Sequence, residues 1–591
     1  RISTDAAGRW LLTTSHDKTA RVWDLAKGRL LTTLRPPIGT GDEGKLFAGA
    51  MSPDGSIVVN GGWTDDDNAM YVFDRASGRM LRTVTGLANV VLHLAFSPDG
   101  RYLVAGLGGS NGVRVFDAAD GRVLGEDTDF AESCYGAQFS ADSKRLVATG
   151  LDGFVRTYRV DGGKLVRLAK RAPTGGKFPW DARFSPDGKR IAVGFNDGTS
   201  VDVVDAGDLH PLFSPDTAGL NGNLSTVAWS RDGAWLYAAG LAQKDDNQKF
   251  IRRWPMRGNR AGAPEDWPVS NDTIMDLAPQ PDDRIAFSSG GPRWGVIDGS
   301  GRRQLYHAPS VADLRNNRAG LMLSADGMQV KFAYEYGGES PIVFDTRRRA
   351  FLPADTAGLA SARTTAPGLE VTDWESGTSP KVNGIALELK AFEGSRSLAI
   401  PAKPTTFVLG TDWYLRGFDR NGKQIWQQSV PGAVWAVNIS KDGRWIVAAF
   451  GDGTIRWHRA EDGVEQMAFY PHPDQRRWVL WTPSGYYDSS AGAEDLIGWH
   501  VNNGKDRASD YFSASRFRDR FNRPDVLSRL LDTASETEAV KLANAETGRR
   551  EQSTDISTLL PPVVELVTPA EGQRFGQSTV QLRYRVRTAA D

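Results

Sequence analysis

Short apolar stretches alternate with polar turns along most of the chain. A representative unit has an apolar stretch at 101–106, a turn containing Gly or Asn, and a second stretch at 113–117 that ends in Phe-Asp. Similar endings occur at 22–24, 72–74 and 343–345. Alternating side chains in such strands can be buried on both faces of a sheet. The pattern predicts many short β-strands joined by tight turns.

The turn Ser-Pro-Asp-Gly, or a close variant, recurs along the chain at 52–55, 97–100, 140–143, 185–188, 230–233, 280–283, 324–327 and 440–443. Gly suits such a turn because it adopts positive φ, and Asp suits it because its side chain bonds to nearby backbone. The first five turn aspartates lie 43–45 residues apart. A period of about 40–45 residues with four short strands is typical of a β-propeller blade.

About eleven blade-like units fit between residues 1 and 505. One propeller usually has four to eight blades, so the count favours two tandem propellers. The stretch 346–381 breaks the period and is rich in Ala, Thr, Gly and Pro, which places the boundary there. We therefore predict an all-β fold with a first propeller at 1–350 and a second at 351–509.

The pattern changes after residue 477. Phe517 and Phe521 share one face of a short predicted helix, and Pro524 suits the first turn of a second helix. We assign 510–558 to a helical segment and linker, and 559–591 to the start of an immunoglobulin-like β-sandwich. Because two strands do not form a stable domain alone, we expect the sandwich to be truncated and the chain to be a piece of a longer protein.

Residues 15–24, Ser-His-Asp-Lys-Thr-Ala-Arg-Val-Trp-Asp, resemble the most typical stretch of the WD40-repeat family, and 151–156 and 451–457 are partial matches. The resemblance implies that an aspartate in the blade turn anchors a hydrogen-bond network within its blade. The matching residues are Asp17, Asp152, Asp197 and Asp452. The turn at 108–112 has no such aspartate, so we expect the network to be partial.

A sharper resemblance covers roughly residues 380–590. The segments that carry it are Asp-Gly-Thr-Ile-Arg-Trp at 452–457, Trp-Thr-Pro-Ser-Gly-Tyr-Tyr-Asp at 481–488, Gly-Trp-His-Val-Asn at 498–502 and Phe-Asn-Arg-Pro-Asp at 521–525. They are similar to bacterial WD40-repeat proteins with a C-terminal caspase-like cysteine peptidase domain. In that family the order is propellers, a short helical segment, an immunoglobulin-like module and the peptidase. The peptidase part is absent from this sequence.

The chemistry-bearing residues do not form a peptidase site. Cys134 is the single cysteine and no histidine follows His500, so a Cys/His pair cannot be assembled toward the C-terminus. We expect Cys134 to be a packing residue, and this chain to be non-catalytic without cofactor or metal. Acidic runs at 65–68 and 245–247 favour solvated turns over Ca²⁺ loops, and the arginines at 347–349 favour a solvated strand end over a phosphate clamp.

Net charge and hydropathy limit the classes of partner that the sequence predicts. Lys and Arg number 71 against 72 Asp and Glu, so a generally basic surface that coats nucleic acid is disfavoured. No run approaches the roughly 20 apolar residues of a membrane span. We expect a cytoplasmic protein without a membrane partner. Residue 1 is Arg rather than Met, so a removed targeting segment stays an open alternative.

The leading interpretation is a non-catalytic protein-interaction scaffold, the sensor and regulatory region of a caspase-like peptidase, with a protein partner on a propeller face and the peptidase downstream. The alternative is a small-molecule-binding or enzymatic propeller with its site in the central channel. A channel filled by side chains would favour the scaffold. The candidate coupling and interaction residues are Trp481, Tyr486, Tyr487, Trp499, Phe517 and Phe521.

Overall fold

The computed structural model describes residues 1–64, 68–244, 248–390, 393–550, 553–568, 575–576 and 579–588. The acidic residues 65–67 and 245–247 lie outside the described residues. The described part contains eleven antiparallel sheets of three or more strands and two further two-stranded hairpins. Its α-helices all lie between residues 518 and 547. The predicted fold class, mostly β with blade-like sheets and a short helical segment near the C-terminus, is confirmed.

The first seven sheets, which we call blades 1 to 7, each contain four antiparallel strands in sequence order. Their strands, β1 to β28, are Ile2–Thr4, Trp10–Thr14, Ala20–Asp24 and Arg29–Leu34; Leu46–Met51, Ile57–Gly62, Met70–Asp74 and Met80–Val84; Val91–Phe96, Tyr102–Leu107, Val113–Asp117 and Val123–Asp127; Gly136–Phe139, Arg145–Gly150, Phe154–Asp161 and Lys164–Arg171; Pro179–Phe184, Arg190–Phe195, Val201–Asp205 and Pro211–Phe213; Thr226–Trp229, Trp235–Ala239, Lys249–Pro255 and Glu265–Ser270; Ile274–Pro279, Ile285–Ser289, Arg293–Ile297 and Arg303–His307.

Blades 1 to 7 form a closed ring. The first strand of each blade contacts the first strand of the next blade, and β25 of blade 7 contacts β1 of blade 1. The backbone N–H of Ile2 donates to Asp276 Oδ2 at 3.3 Å across this closure. Trp23 of blade 1 packs against Trp294 of blade 7 with ring centroids 5.2 Å apart. The ring is therefore complete at His307.

Each interface between neighbouring blades holds its own apolar core, because consecutive strand residues point to opposite faces. Val58 packs in the core between blades 1 and 2. Val59, the next residue, packs in the core between blades 2 and 3. Further cores fill the remaining interfaces, including the one between blades 7 and 1. Both faces of each blade are thus buried, as the alternating pattern predicts.

The recurring turn has the structure that its residues favour. In blade 2, Ser52 Oγ donates to Asp54 Oδ1 at 2.6 Å, and the N–H of Gly55, at φ +73°, donates to the carbonyl of Ser52. The same Ser-to-Asp bond recurs at 2.5–2.7 Å in the other turns that begin with serine. In blade 7 the turn begins with Gln280, which has no hydroxyl for this bond.

Four further sheets follow the ring, and their strands, β29 to β46, are Met322–Ser324, Gln329–Glu335, Glu339–Asp345, Ala350–Leu352 and Leu359–Ala360; Val371–Thr372, Lys381–Val382 and Ile385–Ala386; Ser395–Ala399, Thr406–Thr411, Tyr414–Asp419 and Gln424–Ser429; Val434–Ile439, Trp445–Phe450, Ile455–Arg459, Glu465–Pro471, Trp478–Trp481 and Tyr487–Ser489. Apolar cores join the second sheet to the third, the third to the fourth, and the fourth to the first, so these four sheets form a second packed group.

The domain boundary differs from the predicted one at residue 350. Phe344 of the first sheet in the second group stacks on Phe469 of the last sheet, with centroids 4.1 Å apart. Trp457 Nε1 donates to the Gly327 carbonyl at 2.8 Å in the same interface. Residues 322–352 therefore pack with the second group. The repeat period continues without a break past His307, so the period alone did not reveal where the first ring closes.

The C-terminal part contains a hairpin of β47 (Gly498–Val501) and β48 (Asp510–Ser513), three α-helices, and a second hairpin of β49 (Val563–Thr568) and β50 (Arg583–Arg587). The helices are α1 (Arg518–Phe521), α2 (Pro524–Thr533) and α3 (Glu536–Thr547). Pro524 occupies the first turn of α2, as predicted. The predicted boundary at 509–510 falls inside the first hairpin.

Two of the four blade-turn aspartates form exposed or half-buried networks. Asp17 Oδ1 accepts bonds from the N–H and Oγ1 of Thr19 at 3.0 and 2.6 Å, and Arg21 lies 2.7 Å from its other oxygen. Asp452 repeats this arrangement with Thr454 at 3.0 and 2.6 Å and with Arg456 at 3.0 Å.

The other two aspartates differ in burial and partners. Asp152 forms an ion pair with Arg156 at 2.5 Å, with side chains only 4% and 0% exposed, and the Arg156 guanidinium lies 3.7 Å from the Phe130 ring centroid. Asp197 accepts bonds from the backbone N–H groups of Lys177 and Phe178 at 2.9 and 3.1 Å. Asp152 thus holds a buried charge within blade 4, whereas Asp197 holds the loop that leads into β17.

We expect Asp152→Ala to destabilise blade 4 by about 3–5 kcal/mol, because it leaves the buried Arg156 guanidinium without its carboxylate. Asp17→Ala is the matched control, since it removes the equivalent residue from an exposed pair and should cost about 1 kcal/mol. Hydrogen exchange of the strands β13–β16 and β1–β4 measures both changes. An equal loss of stability in the two variants would contradict the difference between the buried and the exposed ion pair.

The Asp152 pair also predicts a pH dependence. Burial alone would raise the pKa of Asp152, but the Arg156 guanidinium and the Ala131 N–H hold it below the ordinary value of 3.8. A lowered folded-state pKa stabilises the protein above pH 3.8, and this contribution is lost as the pH falls further. The stability difference between wild type and Asp152→Ala should therefore stay constant from pH 7 to about pH 5 and shrink below about pH 4. A difference that shrinks already at neutral pH contradicts this assignment.

Candidate functional site

One face of the seven-bladed ring carries aromatic and apolar side chains around the channel mouth. The pairing registers skip Trp180 in blade 5 and Met275 in blade 7, and such bulges re-aim side chains out of the sheet. Trp180 stacks on Tyr135 of blade 4 with centroids 3.9 Å apart and planes 16° apart. Phe178 and Met275 are 46% and 37% exposed. We call Tyr135, Phe178, Trp180 and Met275 the mouth patch.

Side chains cross the channel beneath the mouth patch. Arg183 of blade 5 lies 3.1 Å from Asp181 and 3.7 Å from Asp276 of blade 7. Its Nη1 also donates to Gln138 Oε1 of blade 4 at 2.8 Å. Arg1 of blade 1 reaches the carbonyl of Tyr135 at 3.1 Å. Two guanidinium groups therefore bridge blades across the channel.

The channel environment also sets the charge of His93. Burial, followed by the positive charges of Arg1 and Arg183, lowers the pKa of His93 well below its ordinary value. His93 is therefore neutral at physiological pH.

The second candidate region is the segment from Trp481 to Leu531, which contains the candidate coupling residues and which we call the coupling segment. The structure brings most of its aromatic residues into one cluster. The Trp499 ring centroid lies 4.8 Å from Phe521 and 5.1 Å from Phe517. Tyr486 lies 6.0 Å from Phe521. Phe521 is fully buried and Phe517 is 9% exposed. The i,i+4 spacing of the two phenylalanines thus places both against Trp499, although residues 514–517 form a 3₁₀ turn rather than α-helix.

Tyr487 and Trp481 lie at the edge of this cluster. The Tyr487 hydroxyl donates to the carbonyl of Ala514 at 3.3 Å, and the N–H of Arg523 donates to the Tyr487 carbonyl at 2.8 Å. Tyr487 thereby ties the last sheet to the start of α2. Trp481 is half-buried, and the Arg456 guanidinium lies 5.9 Å from its ring.

Arginines from the second group of sheets hold α2. Arg444 donates to the carbonyl of Asp532 at 2.9 Å, and Arg459 to that of Ala534 at 3.2 Å. These carbonyls lie at the C-terminal end of α2, where cations are favourable. Arg349 donates to the Pro524 carbonyl at 2.7 Å. These three arginines thus hold both ends of α2 on the sheets.

The expectation of a solvated strand end at 347–349 is wrong for Arg349. Besides its bond to α2, Arg349 lies 2.9 Å from the buried carboxylate of Asp488, and the Arg349 side chain is 27% exposed. Arg347 lies 3.4 Å from Asp532 of α2. Arg348 is 70% exposed and fits the expectation. The run lies at a turn whose neighbour in space, α2, is about 180 residues away in sequence, which the local pattern could not reveal.

Sequence reasoning missed the contact between the C-terminal hairpin and the first ring. Asn502 exchanges two hydrogen bonds with the backbone of Ile38, at 2.6 and 3.1 Å. The N–H of Ser509 donates to the Arg35 carbonyl at 2.9 Å, and the Arg35 guanidinium lies 4.3 Å from the Tyr511 ring centroid. Asn-Asn-Gly at 502–504 marks a turn, but nothing in it marks a partner. We call residues 502–509 the clamp loop.

Cys134 lies inside the ring, directly before Tyr135 of the mouth patch, but its side chain is in the core between blades 3 and 4. It is fully buried, and burial raises the pKa of its thiol to about 12. Its Sγ contacts the Gly136 carbonyl at 3.5 Å, within the core between blades 3 and 4. A thiol in this environment is a packing group, because nucleophilic cysteines need thiolate character and access.

Within the described residues, the acidic and histidine side chains grouped closely enough to hold a metal are Asp205, Asp208 and His210. They lie at a turn of blade 5, where Asp208 Oδ1 is 2.6 Å from His210 Nδ1 and Asp205 Oδ1 accepts the Gly207 N–H at 2.8 Å. These hydrogen bonds within the turn account for the close spacing of the three side chains.

Comparison with known proteins identifies the repeats. Residues 2–24, 78–117 and 422–459 match the family model described as WD domain, G-beta repeat. The small ribosomal subunit protein RACK1y of Oryza sativa subsp. japonica is 32% identical over 106 residues. This stretch covers 18% of the chain and 29% of that relative, so the similarity spans less than a third of the rice protein. The chain therefore contains WD40 repeats, which generally serve as protein-interaction scaffolds.

No helix among the described residues combines the length and apolar character needed to cross a bilayer.

We expect Phe517→Ala combined with Phe521→Ala to release the coupling segment from the last sheet. Each fully buried Phe→Ala substitution costs about 3–5 kcal/mol, so hydrogen exchange of β47, β48 and α2 should rise strongly while blades 3 to 6 stay protected.

Leu542→Ala is the matched control, because Leu542 is 43% exposed on α3 and its loss should leave exchange unchanged. Uniformly faster exchange across the ring in the double variant would show that these residues support the whole fold rather than the coupling segment.

Proposed function

We propose that this chain is the non-catalytic sensor and regulatory region of a bacterial WD40-repeat protein that carries a caspase-like cysteine peptidase domain further along. The chain acts as a protein-interaction scaffold. A partner protein binds the mouth patch. The coupling segment, Trp481 to Leu531, then couples partner binding to the position of the downstream peptidase. The cytoplasmic location expected from the sequence stays a prediction.

The observation that carries the scaffold function is the combination of a partly exposed aromatic mouth with side chains that bridge the channel beneath it. Trp180 and Tyr135 present a stacked pair beside the exposed Phe178, and apolar surface of this kind is typical of protein contacts. Beneath it, Arg183 bridges blade 5 to blade 7. The bridge crosses the channel, so the channel-binding alternative is less well supported.

The regulatory part of the proposal is supported by the connections of the coupling segment. Within the segment, Phe517 and Phe521 pack against Trp499 of β47. The clamp loop that follows β47 contacts blade 1 of the first ring. The segment thus touches the propeller on one side and precedes the β49–β50 hairpin on the other. The name of the rice relative refers to a ribosomal subunit, but the near-zero net charge of −1 gives no support to RNA binding by this chain.

Site-specific photo-crosslinking tests the partner surface. A photoreactive phenylalanine analogue at Phe178 should capture a protein partner in cells of the source bacterium, whereas the same analogue at Leu168 should not. Leu168 is the matched control because it is 45% exposed, close to the 46% of Phe178, but lies on the outer strand β16. Equal capture from both positions would contradict a partner at the mouth.

Peptidase assays on the full-length protein test the regulation. Partner-dependent cleavage should be lost in Trp180→Ala together with Phe178→Ala and retained in Val166→Ala together with Leu168→Ala. We expect the mouth variant to weaken partner binding at least tenfold, because buried aromatic anchors dominate such interfaces. A full-length reading frame without a peptidase domain, or cleavage that ignores the partner, contradicts the regulatory function.

A further inference from the structure

Asp510 lies at the point where three parts of the chain meet. It is the first residue of β48 and pairs with Val501 of β47. Its Oδ1 and Oδ2 accept bonds from Arg587 Nη2 and Nη1 at 2.7 and 2.8 Å. Asn503 Nδ2 donates to the same Oδ2 at 2.9 Å. One carboxylate therefore contacts both the clamp loop and the C-terminal hairpin β49–β50.

The bond to Asn503 orders the clamp loop. Asn503 Nδ2 also donates to the carbonyl of Ala508 at 2.9 Å, which closes the loop across five residues. This closure places Asn502 and Ser509 side by side, with Ser509 Oγ donating to Asn502 Oδ1 at 3.0 Å. Both residues then bind the backbone of blade 1 and the segment after it. Asp510 thus supports the loop from the side opposite the propeller.

The clamp loop contacts two blades. Asn502 and Ser509 bind residues 35–38, which follow the last strand of blade 1. The hydroxyl of Thr83, on the outer strand of blade 2, donates to the Lys505 carbonyl at 2.9 Å. A change in the relative position of blades 1 and 2 therefore acts directly on this loop.

The bond to Arg587 orients the C-terminal hairpin. Arg–carboxylate pairs with two parallel bonds fix angle as well as distance. The side chains of Arg587 and Asp510 are 22% and 13% exposed, so water screens the pair only partly. Val563 at the start of β49 also packs on the core of the helical segment. The hairpin is thus held by an apolar contact and oriented by the ion pair.

We propose that Asp510 is the positioning residue that couples the first propeller to the C-terminal hairpin, through Asn503 and the clamp loop on one side and Arg587 on the other. Its use in peptidase control rests on the proposed function. The coupling itself is a property of this chain and is measurable without a peptidase. Coupling of this kind is reciprocal, so a change on either side shifts the order of the other.

Hydrogen exchange of the chain tests the proposal. Asp510→Asn keeps the size of the side chain but removes its charge, and it should raise exchange of both residues 502–509 and the strands β49 and β50 at least tenfold. Arg587→Gln should raise exchange of β49 and β50 more than that of the clamp loop. Asp506→Asn, an exposed acid within the clamp loop, and Arg585→Gln, an exposed arginine on β50, are matched controls and should change exchange less than twofold.

A comparison of single and double variants tests whether the effect of Asn502 on β50 passes through Asp510. Asn502→Ala breaks the contact with blade 1 and should raise exchange of β50 in the wild-type background. In the Asp510→Asn background the same substitution should have no further effect on β50, because neighbouring residues in one network are not additive. Protection of β17–β24, remote from these residues, reports that the ring stays folded in every variant.

Two outcomes would overturn the proposal. One is exchange of β49 and β50 within twofold of wild type in Asp510→Asn. The other is an Asn502→Ala effect on β50 of equal size in both backgrounds. In the full-length protein, Asp510→Asn should also change partner-dependent cleavage. If exchange responds as expected but cleavage does not, the coupling by Asp510 stands and the proposed peptidase control fails.

Discussion

The packing of blade 7 against blade 1 is the contact on which the first ring depends. A four-stranded sheet with two apolar faces is stable only when both faces are covered, and an open row of such sheets leaves two faces in water. Here Trp294 and Val296 of blade 7 pack with Ile2 and Trp23 of blade 1, and Asp276 accepts the Ile2 N–H. With the closure made, each interface contains its own core and the blades support one another.

Closure also creates the surface that we propose as the partner site. The strands nearest the axis begin on one face, so residues displaced by bulges at their starts meet around a common mouth. Trp180 and Tyr135 stack across the boundary of blades 4 and 5 for this reason. The narrow space beneath them is bridged by Arg183, whose partners come from blades 4, 5 and 7. A propeller face whose channel is bridged by side chains is suited to presenting a surface to another macromolecule.

The C-terminal segment adds a connection that a free propeller lacks. Its aromatic cluster joins Phe517 and Phe521 to Trp499, and arginines from the preceding sheets hold α2 at its ends. The clamp loop then binds blade 1 through Asn502. The contacts at the propeller side are hydrogen bonds and a cation–π contact, whereas the helix side adds a buried apolar core, so the helical core is the more stable of the two attachments.

Local patterns in the sequence determined the strand content, the recurring turns and the aromatic spacing of the coupling segment, because period-2 alternation, Asp-Gly chemistry and i,i+4 contacts act over a few residues. Asp17 and Asp452 could be assigned to their turns from the resemblance to WD40 repeats. Tertiary structure alone decided where the first ring closes, since blades 1 and 7 are more than 270 residues apart and the repeat period does not change there. It also decided that Arg349 holds α2 and that Asn502 binds Ile38, because such pairs depend on how distant segments are brought together and leave no periodic signal in the chain.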